Sequence, residues 1–136
     1  INGDHENSHY LKGIPLSPSI EAADSLSRLE ECDALLLVTP AQHLRSVAGQ
    51  LEGAGKLLIL CSKGIEDKTG LLMHEVASEV QPDAPIAVLS GPTFAHEVAA
   101  GLPTAVTLAT TSSSSASLRK RELGATTAIR IPPSAV

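Results

Sequence analysis

Apolar residues gather along this chain in short continuous runs, each stopped by proline, glycine or charge and followed by a stretch of helical period. The opening segment, INGDHENSHYLKGIPL, is the exception, since it is polar and glycine-rich and reads as a loop. SIEAAD alternates and predicts a short strand; SLSRLEEC opens on a serine cap and predicts helix. ALLLVTP, Ala34 to Pro40, is an unbroken apolar run ended by proline and is the clearest strand. AQHLRSVAGQL then places Leu44, Val47, Ala48 and Leu51 on one helical face. The alternation continues with a strand at KLLILCS (Lys56 to Ser62), a loop at KGIEDKTG and a helix at LLMHEVASEV (Leu71 to Val80). PIAVLS (Pro85 to Ser90) predicts a strand, TFAHEVAAG a helix closed by Gly101, and TAVTLA (Thr104 to Ala109) a further strand. Strand–helix–strand units joined by short loops imply crossover connections, so the expected class is α/β with a mostly parallel sheet flanked by helices.

The pattern changes near residue 111. TTSSSSASLRKRELG is a serine-rich linker leading into a candidate basic helix, and TTAIRIPPSAV holds one short strand candidate before a Pro-Pro stop. Residues 112–136 are therefore set apart as a divergent tail. Composition adds three points. With one Phe, one Tyr and no Trp, the core must be Leu, Val, Ile and Ala, the palette of buried parallel strands. A net charge of −5 argues against nucleic acid, whose phosphates call for a basic stripe. Cys32 and Cys61 fit no zinc or redox spacing and are expected to be buried free thiols. No apolar run approaches the roughly 20 residues of a membrane span and no signal peptide is evident, so a cytoplasmic protein away from membranes is expected. The chain begins with Ile, which suggests sequence upstream.

Candidate chemistry follows from topology. Ligands of open parallel sheets bind outside the carboxyl ends of the strands, where VTPAQHL, CSKGIEDKTG and LSGPTFAHE would lie. Lys63 directly follows a strand and precedes Gly64, so its ammonium could pair with a phosphate or polarise a carbonyl; a solvated loop lysine is the plainer alternative. Gly91 allows close backbone approach, Pro92 fixes the turn, and the amides of Thr93 and Phe94, with the Thr93 hydroxyl, would face an anion at a helix N-terminus; a plain N-cap is the alternative. His43 and Arg45 lie one turn into a helix, where His43 could stack on a cofactor. His74 and His96 read as solvated helix-face residues, and His5 and His9 lack the carboxylates that would suggest a metal. The later Gly101–Thr104 turn, so similar to the first, is expected at the opposite edge of the sheet. No G-x-G-x-x-G turn occurs in the sequence.

Four ordered stretches resemble the NAD(P)-dependent glycerol-3-phosphate dehydrogenases, chiefly the bacterial type. NGDHENSHYLKGIPL is similar to that family's N-x-x-Y-L-P-G loop, and ALLLVTPAQHLR to its V-P-S-x-x-L-R strand end. CSKGIEDKTGLLMHEV resembles S-K-G-I-E-x-x-T-G-x-x-x-x-E-V, and AVLSGPTFAHEVAAGLPTAV resembles S-G-P-[ST]-F-A-x-E-V-A-x-G-x-P-T-A. The match covers about residues 2 to 109. It implies a partial NAD(P)-binding Rossmann domain over residues 1–111, a Rossmann-like sheet incomplete at its N-terminus. It further implies an oxidoreductase interconverting dihydroxyacetone phosphate and sn-glycerol 3-phosphate with NADP or NAD, feeding glycerophospholipid synthesis, in a parent enzyme that is a homodimer. By the same resemblance, Lys63, Gly91 and Thr93 contact substrate. Lys63 and Ala95 lie against the cofactor, and Tyr10, His43 and Pro40 flank the dinucleotide. The family's glycine turn and its C-terminal helical domain, which carries the general acid–base lysine, have no counterpart in these 136 residues. No catalytic residue is therefore assigned, no metal is expected, and the isolated chain is expected to be inactive. A degenerate, non-catalytic Rossmann-like module binding a nucleotide or a protein is the alternative. A dehydrogenase of the wider 6-phosphogluconate group is a third, disfavoured by S-K-G-I-E together with S-G-P-T-F-A.

Overall fold

A computed structural model describes residues 1–52, 55–110 and 126–131. Five strands, β1 (Ala34–Leu37), β2 (Leu57–Leu60), β3 (Ile86–Ser90), β4 (Thr104–Thr110) and β5 (Thr126–Ile131), form one sheet in sequential order. β1, β2 and β3 pair in parallel, with Leu37 beside Leu60 and Leu60 beside Val88. Three helices accompany them: α1 (Leu44–Ala48), α2 (Met73–Val80) and α3 (Ala95–Ala99). This is the alternating, Rossmann-like α/β arrangement that the apolar pattern predicts, with its first three strands parallel.

Side chains on a strand alternate between faces, so Leu35 and Leu37 of β1 and Leu58 and Leu60 of β2 share one face. There they pack with Leu44 and Ala48 of α1 and Met73, Val76 and Ala77 of α2. Gln81, just past α2, donates from Nε2 to the carbonyls of Ala48 (2.8 Å) and Leu51 (3.1 Å), tying the two helix ends together. At the start of α2, Glu75 reaches back to accept from the Leu72 amide at 2.7 Å and satisfies one of the free first-turn donors. On the opposite face of the sheet, Leu36 (58 % exposed) and the neighbouring Val38 (71 %) are open, so β1 is not covered on both sides.

β4 departs from the repeated unit. It runs antiparallel to β3, with Ser90 opposite Thr107, and antiparallel to β5. α3 has five residues and spans only about 7–8 Å, against roughly 16 Å for five residues of strand, so it cannot carry the chain back along β3. The chain therefore re-enters from the edge it left. β5 lies in the segment that composition sets apart, and it pairs with β4 from Ala109–Thr126 to Thr104–Ile131. The expected basic helix before it lies outside the described residues.

Two other expectations are corrected. SIEAAD forms no strand; its backbone is instead held by the Asn2 side chain, which donates to the Ala22 carbonyl (2.7 Å) and accepts from the Ala22 amide (2.6 Å). One amide side chain thus supplies the two bonds a neighbouring strand would offer. The helix expected after it is a single 3₁₀ turn, Leu26–Leu29, capped by Ser25, whose Oγ accepts from the Ser27 amide at 3.3 Å. Both cysteines are free, as expected, but Cys32 is exposed and Cys61 half-buried. Partial burial pushes the Cys61 thiol up from its ordinary pKa, which keeps it protonated and poorly nucleophilic.

Candidate functional site

The carboxyl ends of β1, β2 and β3 lie side by side, and their three loops are physically joined. After β2, the Cys61 amide donates to the Leu37 carbonyl at 2.9 Å. Ser62 Oγ donates to the carbonyls of Leu37 (3.4 Å) and Thr39 (2.5 Å). Gly64 then turns at φ +131°, a conformation that side chains other than hydrogen avoid, and a Cβ there would stand 3.3 Å from the Ala41 Cβ. Lys63, between these points, extends across the edge. Its Nζ donates to the Gly91 carbonyl at 3.5 Å, joining residues 28 positions apart. A lysine ammonium has three donors and this bond is long, so an exposed, positively charged group is left free to meet an anion or a carbonyl oxygen.

Gly91 is demanded by close approach. A Cβ at this position would lie 2.7 Å from the Ala105 carbonyl oxygen and 3.1 Å from the Val106 Cα, both on the backbone of β4. The contact also places the Gly101–Thr104 turn, which leads into β4, beside the first turn. Both glycine–proline turns thus occupy the same edge, not opposite edges, because β4 is antiparallel to β3. The amide cradle expected at Thr93 is absent as well. The Thr93 amide donates to the Gly91 carbonyl at 3.0 Å, and Phe94, not Thr93, is the N-cap of α3. What the turn presents is a carbonyl shared by Lys63 and Thr93, with the Thr93 side chain exposed.

The other expected residues fall into two groups. Ala95 opens α3 four residues past Gly91 and is exposed. Pro40 and His43 lie on the loop that follows β1, at the same edge, and both are exposed. Tyr10 stands apart. It is 81 % exposed, its amide is bonded to Asn7, and its ring meets His9 edge-on at 4.4 Å. Thr39 brings a feature the sequence reading passes over, a buried hydroxyl with no hydrogen-bond partner at the carboxyl end of β1. Among the described residues no three His, Cys, Asp or Glu side chains gather as metal ligands.

Sequence reasoning also misses what holds the Lys63 loop. Glu66 is the one buried charged residue among those described, 7 % exposed. Its Oε1 and Oε2 accept from Arg45 Nε and Nη2, both at 2.9 Å, and Oε2 also accepts from Thr69 Oγ1 at 2.6 Å. Arg45 Nη2 further meets Glu79 Oε2 at 2.8 Å. Gln42 Nε2 donates to the Ile65 carbonyl (2.9 Å) and Asp67 Oδ1 (3.2 Å), and Gln42 Oε1 accepts from the Asp67 amide at 3.0 Å. The signal was present in the repeated Glu, Thr and Gly of S-K-G-I-E-x-x-T-G and in the arginine of L-R, but spacing alone does not reveal that they meet.

The hydrogen bonds from Arg45, then that from Thr69, hold the Glu66 carboxyl down at about 2, against 4.5 ordinarily, and Arg45 is pushed further above its already high value by the same bonds. The ionised carboxylate is therefore the form the fold favours. Its stabilisation is complete above about pH 4.5 and is lost as pH falls toward about 2. Thermal melts across that window are expected to show wild-type stability falling more steeply than that of Glu66→Gln, which starts several degrees lower at neutral pH. Parallel losses in the two proteins would contradict this account.

Residues 1–116 match the family model described as NAD-dependent glycerol-3-phosphate dehydrogenase N-terminus. The chain belongs to that family. A glycerol-3-phosphate dehydrogenase [NAD(P)+] of Erythrobacter litoralis is 57 % identical over 112 residues, covering 82 % of this chain and 34 % of the relative. The namesake enzyme of Parvibaculum lavamentivorans is 52 % identical over 130 residues, covering 93 % and 39 %. The crystal structure of glycerol-3-phosphate dehydrogenase from Coxiella burnetii superposes with a TM-score of 0.76 at 33 % identity, over 90 % of this chain and 39 % of that one. The chain thus spans a little over a third of the length of these relatives, and its fold is that of the family's N-terminal domain.

Proposed function

We propose that this chain forms the nicotinamide-side half of a site that interconverts dihydroxyacetone phosphate and sn-glycerol 3-phosphate with NAD or NADP. The observation that carries this reading is the Lys63 ammonium reaching the Gly91 carbonyl across the carboxyl edge, joining the S-K-G-I-E and S-G-P-T-F-A stretches within the matched residues. The residues present suit a dinucleotide there. Lys63 offers an exposed cation at the edge, and the exposed Thr93, whose amide shares the Gly91 carbonyl with it, stands beside it. Pro40, His43 and Ala95 would border the cofactor, and Lys63, Gly91 and Thr93 the substrate. When bound, the nicotinamide accepts or supplies the hydride. The part of this chain is to orient it and to hold positive charge near the oxygen of the reacting carbon.

Among the described residues Lys63 is bonded to a carbonyl and to no acid or base, so it polarises and binds rather than relays a proton. On this reading the 136-residue chain alone binds NADH weakly and oxidises no glycerol 3-phosphate. The test is titration followed by the nicotinamide's own fluorescence. Lys63→Met is expected to weaken NADH binding about tenfold or more, a change of about 1.4 kcal/mol, while the melting temperature stays nearly constant. Equal affinity in the variant and wild type would end the assignment of Lys63, and turnover by the pure chain would end the half-site reading.

A further inference from the structure

Glu66 presents a physical puzzle, because stability alone does not call for a buried carboxylate at that point. Taking the Glu66 carboxylate out of water is costly even against the half-buried Arg45 guanidinium, and apolar replacements of similar volume are commonly as stable or more so. A buried carboxylate with both oxygens bonded is better explained by the geometry it specifies. Here the geometry is that of the segment after β2. Residues 61 and 62 are fastened to the end of β1 through Leu37 and Thr39. Residues 65 to 67 are fastened to the next turn of chain through Gln42 and Arg45. The Glu66 backbone is engaged as well, its amide donating to Leu71 (2.9 Å) and its carbonyl accepting from Gly70 (2.8 Å). Lys63 and Gly64 bridge these two anchored flanks.

We propose that Glu66 is a positioning residue that, held by Arg45 and Thr69, fixes the backbone on the far side of Gly64 and so keeps the Lys63 ammonium at the Gly91 carbonyl. The lysine stem is long and freely rotating, so its tip is localised only if its Cα is. The Nζ–O separation is already 3.5 Å, and a shift of about 1 Å in the loop would carry it out of hydrogen-bonding range. The significance for ligand binding rests on the reading of Lys63 given above. The positioning is a property of the free protein.

The experiment uses the whole chain and a resonance distant from Glu66, the Gly91 carbonyl carbon, with NADH affinity measured on the same samples. Lys63→Met calibrates the Gly91 shift in the absence of the ammonium. Glu66→Gln is expected to move that resonance about half or more of the way to the calibrated value and to weaken NADH binding roughly fivefold or more, with the Leu37 and Leu60 resonances in place. A Glu66→Gln protein that melts lower but leaves the Gly91 resonance unmoved overturns the proposal, since a merely structural role would produce that result. So does a Lys63→Met protein with an unmoved Gly91 resonance, because the contact would then not exist. If Glu66→Gln does not fold, Thr69→Val, which removes one of the three donors, is expected to shift the resonance in the same direction, and no shift overturns the proposal. Unchanged NADH affinity in Lys63→Met would instead refute the ligand-binding reading and leave the Gly91 resonance to decide the positioning.

Discussion

Leu60→Ala is expected to destabilise the chain by about 2–5 kcal/mol, the range for removing a fully buried leucine from a packed core. Leu60 has no exposed surface, lies between Leu37 of β1 and Val88 of β3, and faces α1 and α2. Its neighbours are aliphatic side chains on a hydrogen-bonded sheet, which cannot collapse far into the gap. Against a typical total of about 5–15 kcal/mol, the loss should lower the melting temperature by on the order of 8–20 °C. Leu60 is also the last residue of β2, immediately before Cys61, Ser62 and Lys63, so the cavity opens directly beneath the candidate site. Far-ultraviolet circular dichroism during heating or urea unfolding is the suitable measurement, because the chain has no Trp and a single Tyr. A loss below about 1 kcal/mol would mean that this position is not the centre of the core.

Gly91→Ala should cost about 1–3 kcal/mol by overpacking and should disturb the site as well. The added Cβ meets backbone atoms of β4, at 2.7 Å and 3.1 Å, and neither strand can rotate away as a side chain would. Relief requires β3 and β4 to part at the point where the Gly91 carbonyl receives Lys63 and Thr93. Stability and NADH affinity should therefore fall together. Gly3→Ala is the matched control, with nothing within 4 Å of its added Cβ and an expected change under about 0.5 kcal/mol. A Gly91→Ala protein that melts like the control would show that Gly91 is not packed against β4.

Much of the architecture was legible because burial writes a local pattern. The runs ALLL, LLIL and IAVLS are strands in the structure, and Leu44, Ala48, Met73, Val76 and Ala77 are the helical residues that cover them. Lys63 and Gly91 were legible as candidates for a similar reason, since each lies just past a strand of the parallel part of the sheet and so at its carboxyl edge. SIEAAD failed as a strand because alternation shows a capacity to pair and does not supply a partner; Asn2 provided the bonds instead. The Thr93 amide is taken by the Gly91 carbonyl, two residues back, and α3 begins with Phe94 as its N-cap, a pairing that residue type alone does not reveal.

By itself the sequence determined the order of strands and helices from Ala34 to Thr110, the aliphatic core and the family, because each rests on side-chain type at short spacing. Only the tertiary structure decided that β4 runs antiparallel, since backbone hydrogen bonds form in either direction and the choice depends on how far a five-residue helix can reach. That choice brought both glycine–proline turns to one edge and set Gly91 against β4. Only the tertiary structure, too, paired Glu66 with Arg45, 21 residues earlier, because an ion pair carries no sequence period and exists only once two loops have folded side by side.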